Sequence, residues 1–77
     1  MDQQMQAVQK LYDQANTVIE RLKQEGRQVP GWAVKQAQMA EEMLTLQKQG
    51  KDIRPLLNDY LIFDQQIEGE RNAFWDE

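Results

Sequence analysis

Residues 3–25, QQMQAVQKLYDQANTVIERLKQE, place Met5, Val8, Tyr12, Ala15, Ile19 and Leu22 three or four positions apart, and Leu11 and Val18 widen the seam on one side. At ~100° per residue these eight side chains fall in an arc of roughly 120°, which predicts one amphipathic helix. Asp2 is placed to cap its start and to favour the positive helix end. Gly26 stands where a left-handed C-terminal cap forms. Arg21 and Glu25 are spaced i,i+4 for a surface ion pair, worth about 0.2–0.5 kcal/mol. A rise of ~1.5 Å per residue makes this helix ~35 Å long.

The chain breaks after it at Arg27-Gln28-Val29-Pro30-Gly31. Proline biases Val29 toward an extended backbone, and Pro-Gly is a turn dipeptide. A second helix is predicted over about residues 32–49. Its pattern splits in two, with bulky Trp32, Met39, Met43 and Leu46 on one side and Ala33, Ala37, Ala40 and Leu44 about 110° further round. A middle helix that touches two neighbours at different distances needs this division, because alanine permits close approach and methionine fills irregular gaps. Gly50 ends it. A third helix is predicted over about 53–69 or beyond, with Pro55 tolerated in the first turn, where the missing N–H has no helical partner anyway. Ile53, Leu56, Leu57, Tyr60, Phe63 and Ile67 form its inner stripe.

The fold expected is therefore all-α. Three short-linked helices pack as an antiparallel bundle, or as a helical hairpin plus a third helix, in a single domain over residues 1–77. A chain of 77 residues buries only ~60% of its unfolded surface, and small folds lean on disulfides, metals or association. Cysteine and histidine are absent, so self-association, a dimer in the first place, is the expected support.

Composition narrows the function. The chain holds no histidine, cysteine or serine and two threonines, Thr17 and Thr45, which removes most nucleophiles, general bases and transition-metal ligands. Glycines 26, 31, 50 and 69 stand alone, so no phosphate loop is present. Glu41-Glu42 and the Asp64, Glu68, Glu70 group suit weak binding of a hard cation at most. No enzyme, metal or cofactor is expected. Net charge is −4, and the excess lies in residues 51–77, with three basic against seven acidic side chains. Without a basic stripe to neutralise phosphates, nucleic-acid binding is not expected. No apolar run approaches the ~20 residues of a membrane span, and Met1-Asp2-Gln3-Gln4-Met5 lacks the basic and apolar regions of a signal peptide. A cytoplasmic location is the expectation.

Three features of the last third stand out. Ile62 points nearly opposite the Ile53–Tyr60 stripe, so it is either one exposed aliphatic or the centre of a second buried face. Asp64 and Arg71 fall inside the inner stripe, with Glu68 beside them and three residues from Arg71, close enough to pair locally; they are either solvated beyond the core's end or form a polar contact that fixes register in an oligomer or grips a partner. Phe74 and Trp75, ahead of Asp76-Glu77, either fold back as a last helical turn or serve as an aromatic anchor for a partner. Phe74 continues the spacing of seven set by Ile53, Tyr60 and Ile67. Ile62, Asp64, Arg71, Phe74 and Trp75 are thus the candidate partner-binding residues.

Ile53-Arg54-Pro55-Leu56-Leu57, followed by Asp64 and Arg71, resembles the late helix of flagellar export chaperones, small helical-bundle proteins that bind flagellar proteins and regulators. The resemblance covers about twenty residues of common type and transfers no site. The expected function is a non-enzymatic protein-interaction module from a bacterium or phage, a small adaptor, chaperone or inhibitor whose protein partner the sequence does not name. The alternative is a structural subunit of a helical homo-oligomeric assembly.

Overall fold

A computed structural model describes the backbone of residues 3–75 and the side chains of residues 6–74. Within them the chain is all-α, with α1 (Gln3–Gln24), α2 (Gly31–Lys48), α3 (Arg54–Gln66) and α4 (Glu68–Trp75). The molecule measures 37 × 23 × 19 Å, and α1 runs most of its length. Asp2, the expected cap, lies outside the described residues.

The first two helices end in the same way. Gly26 and Gly50 adopt φ of 70° and 75°. At the first end Gly26 N–H donates to Lys23 O (3.0 Å) and Arg27 N–H to Leu22 O (2.9 Å); at the second, Gly50 N–H donates to Gln47 O (3.0 Å) and Lys51 N–H to Leu46 O (2.9 Å). Each pair is a Schellman cap, which satisfies carbonyls the helix would otherwise leave open and needs a residue at ease in the left-handed region. Between them, the Pro30 carbonyl accepts from Ala33 N–H at 3.1 Å and starts α2 one residue earlier than expected.

Two apolar clusters hold the helices together. Val8, Ala40, Met43, Leu44, Ile53 and Tyr60 form the lower one, and Val18, Leu22, Ala33 and Phe74 the upper one. The alanine side of α2 faces α1, as Ala33 shares the upper cluster with Val18 and Leu22, and Ala40 the lower one with Val8. Ile19 packs on the upper cluster and does not join Met43 and Tyr60 in the lower one.

The third segment differs from a single helix running over 53–69 or beyond. It stops at Gln66, bends at Ile67 (φ −98°, ψ 7°) and resumes as α4. The hydrogen-bond ladder crosses the bend, with Ile67 N–H to Phe63 O at 3.1 Å and Arg71 N–H to Ile67 O at 2.9 Å. The joint is therefore a kink, with Gly69, the weakest helix former after proline, two residues on. The spacing of seven survives it: Ile53, Tyr60, Ile67 and Phe74 are all buried.

Candidate functional site

No Cα of α3 comes within 8 Å of a Cα in α1 among the described residues, so the two helices are bridged by side chains over a groove that α2 floors. Its volume is about 220 Å³. Leu11, Ala15 and Val18, on adjacent turns of α1, form one wall, and Tyr60, Leu61 and Asp64 the other.

A polar cluster sits in this groove. Asp64 Oδ1 accepts from Gln36 Nε2 at 2.9 Å and from the Arg71 guanidinium in a short ion pair. Gln36 is 6% exposed, and the Asp64 and Arg71 side chains are about one-quarter exposed. The arrangement follows from helix geometry: Asp64 is one turn beyond Tyr60 on the inner stripe, and Arg71 is two turns beyond Asp64. Asp64 raises the Arg71 pKa above its ordinary value. Burial raises that of Tyr60, Asp64 adds to the rise, and a hydrogen bond with Gln36 and the charge of Arg71 oppose it. Every charge in this cluster has a partner, which is the condition for keeping ions at a half-buried site.

Asp64 and Arg71 are thus half-buried and bonded within the chain, to each other and to Gln36, rather than solvated beyond the core's end. Arg71 reaches seven residues back to Asp64, where the local pairing anticipated from sequence was with Glu68. Glu68 is exposed and acts on Arg71 through charge alone. Gln36 was missed altogether. Glutamine is ordinarily a solvated helix former, but Gln36 lies between Ala33, Ala37 and Ala40 on the close-packing side of α2, which is the signal that could have found it.

Phe74 does not present its ring to solvent as an anchor. It is 5% exposed and packs on Val18, Leu22 and Ala33, with the Arg21 guanidinium 4.9 Å from the ring centroid. The physical reason is its place on the inner stripe, seven residues past Ile67. The Trp75 side chain and Asp76-Glu77 lie outside the described residues.

Ile62 is 48% exposed and Leu61 51%. Leu61 lines the groove toward α1. Ile62 borders a second, shallower depression between α2 and α3, walled by Met39, Leu56 and Phe63, with Lys35 Nζ 4.7 Å from the Phe63 ring centroid. Val34 is the third large hydrophobic exposed among the described residues. No three carboxylates converge among the described residues, and no helix among them is long and apolar enough to cross a membrane.

Comparison with protein-family models, with characterised proteins and with solved structures gives no match. The resemblance at Ile53–Leu57 stands on those residues alone.

Proposed function

We propose that the chain is a non-enzymatic protein-interaction module, a small cytoplasmic adaptor, chaperone or inhibitor of a larger protein. It is built as a three-armed helical bundle in which α3 and α4 together make the third arm. The observation that carries this is the pair Leu61 and Ile62, two large aliphatics side by side on α3 and about half exposed, one turned to the α1–α3 groove and the other to the α2–α3 depression. An isolated exposed aliphatic is ordinary. Two adjacent ones, each bordering a concave surface, supply what a helix-in-groove contact uses. The chemistry-poor composition points the same way, and the acidic excess of residues 51–77 favours a basic partner surface.

Self-association through the Ile62 face belongs to the same proposal. Light scattering after size exclusion is expected to give a dimer at micromolar concentration, and Ile62→Asp a monomer with unchanged helical circular dichroism. A wild-type monomer at all accessible concentrations overturns the dimer. For the adaptor, Leu61→Asp is expected to abolish recovery of the protein that the unmodified chain captures from lysate. Growth of the purified chain into large assemblies would replace the adaptor with a structural subunit.

A further inference from the structure

α4 turns inward at two of its described side chains. Arg71 is half-buried and Phe74 buried, while Glu68, Gly69, Glu70, Asn72 and Ala73 are exposed. No Cα of α4 comes within 8 Å of one in α1 or α2 among the described residues, so the helix backbone stands off from the hairpin it covers. Its eight residues fall short of the ~12–15 at which a helix begins to persist alone in water. Its anchorage is therefore tertiary: the ion pair from Arg71 to Asp64, and the Phe74 ring set on Val18, Leu22 and Ala33. Ile67 stays seated in the core at the bend, and at the exposed Gly69, two residues on, a change in backbone angles meets no packed neighbour, since nothing lies within 4 Å of the position a side chain there would take.

We propose that α4 is a latched strap, which swings as a unit about Ile67 while α1, α2 and α3 stay folded, and uncovers an apolar pocket made by Val18, Leu22 and Ala33. The clusters support this division. Phe74 belongs to the upper one, and the lower one, Val8, Ala40, Met43, Leu44, Ile53 and Tyr60, contains no residue of α4. Opening removes one ring from the upper cluster together with its contact to the Arg21 guanidinium, and one ion pair from the groove, and breaks no backbone bond within the other helices. Local openings of this kind occur at free energies below global unfolding. The strap does not depend on the interaction function proposed above.

Because the chain has no cysteine, a single introduced thiol can report on each cluster. Ala33 and Ala40 are 1% and 0% exposed on the same helix, one beneath Phe74 and one in the lower cluster. Under native conditions the Ala33→Cys thiol is expected to react with a soluble thiol reagent at least about tenfold faster than the Ala40→Cys thiol, each rate being corrected for the unfolded chain. Adding Leu57→Ala, at the edge of the lower cluster, should speed the second about tenfold and leave the first unchanged, because the open strap keeps that cluster intact. Adding Arg71→Ala should speed both, because the ion pair is lost in the open and in the unfolded chain alike. Equal rates at the two positions, or an equal acceleration of both by Leu57→Ala, would show that the pocket opens only when the whole chain unfolds and would overturn the strap. Hydrogen exchange on the cysteine-free chain repeats the test without an introduced thiol. There Leu57→Ala should lower the protection of residues 36–44 and spare the amides of residues 71–75, whereas a uniform loss across both segments refutes the proposal.

Discussion

Arg71 pairs with Asp64 across the kink at Ile67, so the one ion pair among the described residues that is half-buried on both sides joins α3 to α4. The remaining pairs, Arg21 with Glu25 at 3.2 Å, Arg27 with Glu25 at 3.2 Å and Arg54 with Asp52 at 2.9 Å, lie at the surface, where screening and side-chain entropy leave little net stabilisation. Position decides which of these contacts matters to the fold.

Removing either partner of the half-buried pair should cost more than removing any surface pair. Arg71→Ala and Asp64→Asn are each expected to lower stability by about 1–2 kcal/mol, between the values for surface ion pairs and for charge-assisted hydrogen bonds. A double-mutant cycle from urea denaturation should return a coupling of about 1 kcal/mol. A coupling indistinguishable from zero would mean that the two side chains stabilise independently.

Tyr60 predicts an alkaline limb of instability. Its pKa is raised above the ordinary 10.0, so the folded state favours the neutral phenol. The contribution is fully present below pH 10 and is lost as pH rises through the folded value, where the unfolded chain releases the proton more readily. Stability should therefore fall above about pH 10, and Tyr60→Phe should remove that part of the decline. Tyrosinate absorbance during the titration should show one of the two tyrosines ionising late. An alkaline limb unchanged in Tyr60→Phe would assign the decline to other groups.

In the core, Met43 is 0% exposed at the centre of the lower cluster, and Leu57 only packs against its edge. Met43→Ala should cost about 2–5 kcal/mol, enough to unfold much of a domain this small, and Leu57→Ala distinctly less. Equal losses by denaturant midpoint would place the core centre nearer α3.

The two helix-ending glycines provide a matched pair. An alanine side chain at Gly26 or Gly50 meets nothing within 4 Å, so steric contact is not the issue. The penalty is the left-handed backbone alone, about 1–2 kcal/mol for a residue with a Cβ. Gly26→Ala and Gly50→Ala should therefore destabilise by similar amounts and add in the double variant. A clear difference between them would show that one of the turns relaxes.

Much of this architecture is legible in the order of residues, because its causes are local. The i, i+3, i+4 pattern of Val8, Tyr12, Ala15, Ile19 and Leu22 reports which face of α1 is buried, since helical geometry maps spacing onto a face. Gly26 and Gly50 mark the ends of α1 and α2 for a reason that holds within five residues, the left-handed conformation of a Schellman cap. The split of α2 into an alanine side and a bulky side likewise follows from spacing, as does the inward direction of Asp64, Arg71 and Phe74.

What those inward residues meet was decided only by the tertiary structure. Spacing places Asp64 on the inner stripe but cannot say that Gln36, 28 residues earlier, will be opposite. That depends on the level at which α2 and α3 pack, and hence on the side chains of both that meet in the lower cluster. The kink at Ile67 is of the same kind. No proline announces it, and Gly69 alone would permit a straight helix; it is the bent arm that carries the burial of Phe74 against Val18, Leu22 and Ala33 together with the Arg71–Asp64 pair. Periodicity is a property of one helix, whereas partners, bends and grooves belong to the way helices share a core.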